Sequence, residues 1–249
     1  SWMLMSGSLG MVASTLPVQW LMPISGWRPL FRALALMVML AIGLIAWAVP
    51  EWERDSAGVA ERPGQGYAEV WRHPYFRKMV PLGFFCYGGL IAVQTLWAVP
   101  WMTKVAGYSP LEAARSLFWI NVSMLCTFWL WGVINPRLAR KGYHADALIK
   151  GGLPLSFCFL AIVIAANNVK PEWVGLGLAL YCMSCTFVAL SQPAVAMAFV
   201  PALAGRALSA YNLVMFVGVF CVQWGIGLAV DVFRAMGFTE IHAFQAAMG

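Results

Sequence analysis

The chain has 249 residues, of which 61% are apolar and only 10% charged. A soluble domain of this size carries about 25% charged residues, so the composition excludes a water-soluble core as the organising principle. The net charge of +6 is scattered between apolar runs and not gathered on one polar surface. That pattern argues against nucleic-acid binding and for contact with anionic lipid.

Stretches without a single charged side chain cover 1–27, 33–50, 79–103, 116–136, 151–169, 173–205 and 207–230. About 20 apolar residues cross the hydrocarbon core as a helix. A closed barrel would need strands of roughly ten residues with alternating polarity, and these runs do not alternate. The predicted fold class is all-α, a polytopic membrane helix bundle. The predicted spans are 1–23, 29–49, 79–102, 111–134, 146–167, 172–200 and 206–231, with an eighth starting near Thr239. Ser1 is not an initiator, and no basic segment precedes Trp2 to Leu21, unlike a signal peptide. The expectation is a fragment that begins in or beside one membrane helix and stops inside another.

Glycines in the first span (Gly7, Gly10) and the seventh (Gly218, Gly225, Gly227) predict close packing or bending there. Segment 51–78 is the only long polar stretch. Its centre, Glu61 to Gly66, reads as a flexible linker. Its end, Tyr67 to Lys78, mixes aromatics with bases. That end suits either a segment lying on the membrane surface or a solvated connector. Ser109-Pro110-Leu111-Glu112 predicts a capping box with proline at the first helical position, and Pro171-Glu172 opens another span similarly. Pro193 predicts a kink, and Pro201 an end, in the long run 173–205. Tryptophans near span ends (Trp20, Trp27, Trp47, Trp52, Trp97, Trp101, Trp129, Trp131, Trp173) read as an aromatic belt.

Lys and Arg in the connections set orientation. Arg54, Arg62, Arg72, Arg77, Lys78, Arg137, Arg140, Lys141, Lys150 and Arg206 lie on one side; Arg28, Arg32, Lys104, Arg115, Lys170 and Arg234 lie on the other. The richer side predicts a cytoplasmic placement for 51–78, 135–145 and 201–206. All six cysteines lie inside apolar runs, so a disulfide framework is not expected. Cys182 and Cys185 read as small residues on a buried helix face, because no βαβ context makes their spacing a redox motif. His73, His144 and His242 form no ligand cluster, and neither a metal nor a cofactor is assigned.

Gly26-Trp27-Arg28-Pro29-Leu30-Phe31 resembles the start of the sixth helix of the major facilitator superfamily, which a long cytoplasmic loop follows. The run Gly132-Val-Ile-Asn-Pro136-Arg137-Leu-Ala139-Arg140-Lys141 is similar to that family's Gly-x-x-x-Asp-Arg-x-Gly-Arg-Lys loop signature, with departures at Pro136 and Ala139. Ala204 to Asn212 is similar to the start of the family's eleventh helix. The resemblance covers essentially the whole chain. It implies that 1–50 holds the last two helices of an N-terminal half and that 51–78 is the central loop. Residues 79–249 are then a C-terminal bundle whose last helix is truncated. Pro136 removes a carboxylate that family members use to hold the halves together. That leaves Gly132, Arg137, Arg140 and Lys141 as the cytoplasmic gate motif, with the three bases acting on carbonyls or lipid phosphates.

The family moves small solutes by alternating access around a midplane site. The resemblance therefore implies a small-molecule substrate, protons or another coupling ion, and a bacterial inner membrane. No span carries an ionisable residue near its centre, so a titrating carboxylate is expected in helices outside this sequence, and this half would supply a neutral wall. The candidates for that wall are Tyr87, Gln94, Asn121, Gln192, Asn212 and Gln223, with Ser123 beside Asn121. Tyr87 and Gln94 are seven apart, and Asn212 and Gln223 eleven, which predicts a shared helix face for each pair. The alternative is that these amides bond neighbouring helices as packing glue. The first span reads Gly10-Met-Val-Ala-Ser-Thr-Leu-Pro17 and lacks the Gly-Pro…Gly-Gly ending of the family's drug antiporters, which argues against drug–proton antiport. No catalytic residue is assigned: Ser, Asp and His are not gathered as an enzyme would need. A non-transporting sensor or accessory protein would be expected to carry an extra soluble domain.

Overall fold

The computed structural model describes residues 2–48, 65–165 and 171–249, and among these there is no strand. Three helices precede the polar segment: α1 Trp2–Ala13, α2 Leu16–Ser25 and α3 Trp27–Ala48. The surface helix α4, Gln65–Arg72, leads into α5, Pro74–Lys104. Helices α6 Pro110–Arg140 and α7 Ala145–Ala165 follow. Helix α8 runs Pro171–Cys185, tightens into a 3-10 segment at Thr186–Leu190 and finishes as Ser191–Met197. Helix α9 is Pro201–Ala235, and α10 is Glu240–Met248.

Six of these helices are long and apolar enough to cross a membrane. The expected first span is not one of them. Pro17 has no N–H, and its ring opposes the carbonyl four residues earlier, at Ala13. The helix stops there. Ser14 Oγ and Thr15 Oγ1 donate to the carbonyls of Met11 and Val12 at 2.8 and 2.7 Å, and α2 restarts with its proline in the first turn. Helices α5, α6 and α9 outrun the predicted spans, whereas α8 ends at Met197, short of the predicted 200. Helices α5 and α6 are each 31 residues. At 1.5 Å per residue that is ~46 Å, longer than the ~30 Å hydrocarbon core. Helix α6 runs through Pro136, past its predicted end at 134.

The proline expectations hold in kind and shift in place. Pro193 opposes the carbonyl of residue 189, and the irregular turn is the 3-10 segment just before it. Pro201 pushes Val200 into the extended region (φ −60°, ψ 149°), which ends α8. Pro201 then opens α9, five residues earlier than predicted. The capping box is present: Ser109 N donates to Glu112 Oε2 at 2.8 Å, and Glu112 N donates to Ser109 Oγ at 3.3 Å. Helix α10 starts where expected, with Thr239 Oγ1 accepting from the His242 N–H at 3.4 Å.

The bundle has two distinguishable ends. At one, Lys78 of α5 meets Asp146 of α7 at 2.6 Å, and the His73 ring packs on Phe199, which follows α8, at 4.5 Å between centroids. At the other, Glu240 pairs with Lys104 at 3.5 Å and with Arg234. We refer to these as the α4 end and the α10 end. Residues 49–64, which include Trp52, Arg54, Arg62 and most of the Glu61–Gly66 linker centre, lie outside the described residues, as does Lys170. The stretch from Tyr67 to Lys78 is helical and packed, not a solvated connector. Val70 and Phe76 are fully buried with Tyr211 and Met215 of α9, while Tyr67 and Trp71 stay exposed.

The main core joins α5 through α10 around Leu90, Trp101, Met102, Ile120, Leu178 and Phe244. Trp101 is only 1% exposed and belongs to this core, and Trp97 is half-buried beside it, so neither is part of an aromatic belt. Trp20, Trp27, Trp47, Trp129 and Trp173 are exposed, as a belt requires. Cys182 and Cys185 are buried free thiols, and Cys126 and Cys158 are exposed ones.

Of the five glycines expected to permit close approach, Gly218 does so. A Cβ there would strike the carbonyl oxygen of Phe84, and one on Gly88 would lie 2.7 Å from the Gly218 carbonyl carbon. Helices α5 and α9 thus touch backbone to backbone. A Cβ on Gly7, Gly10 or Gly225 would meet nothing within 4 Å, and on Gly227 it would make ordinary contact with Trp97. These four give no close packing among the described residues.

Candidate functional site

Helix α5 is not a regular α-helix. Two π segments, Leu82–Tyr87 and Val93–Trp97, bracket Gly88–Ala92. Wide π turns concentrate at functional sites. The second has a local cause. Pro100 cannot donate, and its ring opposes the carbonyl of residue 96. Thr95 Oγ1 donates to the Ile91 carbonyl at 2.7 Å. A π turn advances less per residue than an α turn, so the seven-residue spacing of Tyr87 and Gln94 no longer measures a shared face.

The second π turn carries four polar links to neighbouring helices. Gln94 Nε2 donates to Asn121 Oδ1 of α6 at 2.6 Å, and the same nitrogen lies 3.4 Å from Met11 Sδ of α1. Thr95 Oγ1 accepts from Gln223 Nε2 of α9 at 3.0 Å. Trp97 Nε1 donates to the Gln223 carbonyl at 3.2 Å. Gln94 and Asn121 are both buried, at 3% and 4% exposure, and Gln94 Oε1 has no hydrogen-bond partner among the described residues. An unmet buried amide oxygen costs about 1–3 kcal/mol.

The other candidates form a second pair. Gln192 Nε2 of α8 donates to Asn212 Oδ1 of α9 at 3.1 Å, at a more exposed position, and lies 3.8 Å from Met215 Sδ. Asn212 and Gln223 therefore answer to different neighbours, whatever face they share. Tyr87 is half-buried, packed against two core clusters. Ser123 Oγ donates to the Ile120 carbonyl within its own helix.

The sequence reading missed several polar contacts. Tyr211 Oη donates to Ser191 Oγ at 2.9 Å, deep between α8 and α9. Trp131 Nε1 donates to Thr186 Oγ1 at 3.0 Å, in the 3-10 turn of α8. Tyr75 Oη donates to Asp146 Oδ1 at 2.7 Å, so Tyr75 and Lys78 hold the same carboxylate. Hydroxyls in apolar runs are common, and no spacing rule distinguishes these. Asp146 had a signal, as the acid at the first turn of α7 just after the signature loop.

Gly132 lies within α6, and Arg137, Arg140 and Lys141 are exposed at its end. Arg140 Nε donates weakly to the Pro136 carbonyl at 3.4 Å. None of the three bases makes an ion pair among the described residues. In that set no group of three His, Cys, Asp or Glu side chains converges as a metal site would need.

An all-helical membrane bundle, split by a polar segment and carrying amide pairs at its helix seams, fits a transporter. The family model described as Major Facilitator Superfamily matches residues 1–221. The chain belongs to the Major Facilitator Superfamily. It is an integral membrane protein of a transporter family, and the superfamily match spans α1 through most of α9. Neither the curated proteins nor the solved structures give a match to this superfamily member.

Proposed function

We propose that the protein moves a small solute across a membrane by alternating access. The observation that carries this reading is the buried Gln94–Asn121 pair beside Met11. It sits where α1, before the polar segment, meets α5 and α6 after it. A seam between two bundles is where an alternating-access site forms. In this reading 1–50 contributes two helices of an N-terminal half, 51–78 is the connecting segment, and 79–249 is the C-terminal bundle. The α4 end faces the cytoplasm of a bacterial cell, as the distribution of Lys and Arg suggests.

The wall of the pathway in this half is neutral. Gln94, Asn121, Gln192, Asn212 and Gln223 offer amides, and Tyr87 offers a phenol. Such a lining suits an organic solute with hydrogen-bonding groups better than a bare metal ion. The described spans have no carboxylate at mid-depth; Asp231 is one turn from the end of α9. Coupling to protons or another ion would thus use a group beyond this wall. Arg137, Arg140 and Lys141 would act at the cytoplasmic gate, on span ends that shift as the bundles rock.

The test joins transport to accessibility. Vesicles from cells producing the protein should take up a member of an organic-solute panel faster than control vesicles, and collapsing the proton gradient should report on coupling. In a version with the six native cysteines replaced, Asn212→Cys should react with an impermeant maleimide from either side, with the balance moved by the transported solute. Labelling from one side only, indifferent to every solute, would sink the alternating-access reading.

A further inference from the structure

The two ends of the bundle treat their charges differently. At the α10 end, Glu240 alone meets both Lys104 and Arg234. At the α4 end, Asp146 is occupied by Lys78 and Tyr75. Around that clamp, Arg72, Arg77, Arg137, Arg140, Lys141 and Lys150 are all exposed. Glu69 is the other carboxylate described there.

The clamp also explains how bases from separate helices share one surface. It ties the start of α5 to the start of α7, into which the turn from α6 leads. Arg77 and Lys78 are adjacent, and Lys141 is the residue that ends α6. Helix α4 flanks the patch. Val70 pins it to α9, and Trp71 packs edge-on against Phe76 of α5 at 5.1 Å between ring centroids. Trp71, Tyr67 and Tyr143 remain exposed beside the bases. Exposed aromatics next to Arg and Lys are the composition of a surface that rests at the headgroup level.

We propose that the α4 end is a docking surface for anionic phospholipid headgroups of the bilayer, centred on Arg137, Arg140 and Lys141 and flanked by Arg72, Arg77 and Lys150. Charge complementarity selects this occupant. Guanidinium forks match phosphate oxygens two at a time. Of the two carboxylates described at this end, Asp146 is already held by Lys78, and Glu69 is one acid against six bases. The aromatics give a lipid surface an apolar contact that a free anion does not need. This inference concerns the membrane, and it stands whether or not the seam amides bind a solute.

The test uses the full chain, delipidated in an uncharged detergent and mixed with micelles doped with phosphatidylglycerol or phosphatidylcholine. Bound phospholipid is counted after gel filtration. The protein should retain phosphatidylglycerol in preference to phosphatidylcholine, and less of it as salt is raised. The variant Arg137→Gln/Arg140→Gln/Lys141→Gln should weaken retention on the order of tenfold or more. The variant Arg137→Lys/Arg140→Lys keeps the charge and should retain most of it, which separates charge loss from misfolding. Lys104→Gln/Arg115→Gln at the α10 end should change little. Equal retention of both lipids, or an equal loss at the α10 end, would overturn the proposal. Displacement by millimolar inorganic phosphate would replace it with a free-anion site. Retention that emerges only after Glu51, Glu53, Asp55 and Glu61 are changed to Gln would assign the patch to the chain's own acidic loop instead.

Discussion

Gln94 Nε2 stands 2.6 Å from Asn121 Oδ1 inside the bundle, while the carbonyl oxygen of the same Gln94 side chain meets no donor among the described residues. The pair is satisfied on one edge and open on the other. The pair admits two roles, interhelical packing and contact with a solute.

Replacing Gln94 separates these roles. Gln94→Leu removes the open carbonyl but strands Asn121. An interhelical hydrogen bond in a membrane protein is worth about 0.6 kcal/mol on average, so folded yield should fall only slightly. Loss of a substrate hydrogen bond should weaken binding by roughly 1 kcal/mol. Yield and substrate affinity are to be measured together. Lower yield with unchanged affinity would return Gln94 to the packing class. The double variant Gln94→Leu/Asn121→Leu should cost less stability than the sum of the single changes, because neither amide is then left alone.

Gly218→Ala should be the most damaging of the glycine substitutions in α9. The added methyl meets the Phe84 backbone, which cannot rotate aside as a side chain could. Overpacking of this kind costs typically about 1–3 kcal/mol. Gly225→Ala meets open space and should be neutral or stabilising by up to ~1 kcal/mol, since alanine is the better helix former. Thermal unfolding of the two variants in the same detergent compares them directly; equal midpoints would mean the α5–α9 contact is looser than the structure has it.

The Lys78–Asp146 pair is partly exposed, so its contribution to stability should be no more than about 1 kcal/mol. Its role is to hold two span starts in register beside the gate bases. Lys78→Glu should slow transport with little change in melting temperature, and adding Asp146→Lys should restore part of the rate. A melting temperature that drops sharply in the single variant would make the pair a stability element.

Neutralising Arg137, Arg140 and Lys141 together should lower the maximal transport rate more than the substrate affinity, because the three lie at the end of α6, far from Gln94 and Asn121. The opposite split would place them at the substrate.

Topology has its own check. In a cysteine-free background, His144→Cys lies in the exposed turn between α6 and α7. It should be protected from an impermeant maleimide in intact cells and react once the membrane is opened. Labelling in intact cells would reverse the orientation drawn from Lys and Arg.

Fold class, superfamily and most of the ladder of helices were legible in the order of residues. Apolar run length against bilayer thickness is a local quantity, and a capping box such as Ser109–Glu112 closes within four residues. The prolines were legible for the same reason, although the strength of Pro17 was not. It divided the expected first span because two hydroxyls beside it could donate to the released carbonyls. Which polar group meets which depends on how the helices pack. Asn212 faces Gln192, and Gln223 reaches Thr95, across distances in sequence that no periodicity encodes. The π turns of α5 change the advance per residue, so counting seven from Tyr87 does not fix the face of Gln94. Trp101 looked like an interfacial residue because its neighbours in sequence are near a helix end, and it is buried because α6 and α10 close over it. In lipid, apolarity says that a helix is inside the membrane but not which side meets protein, so burial, seams and open amide edges appear only when the helices are packed together.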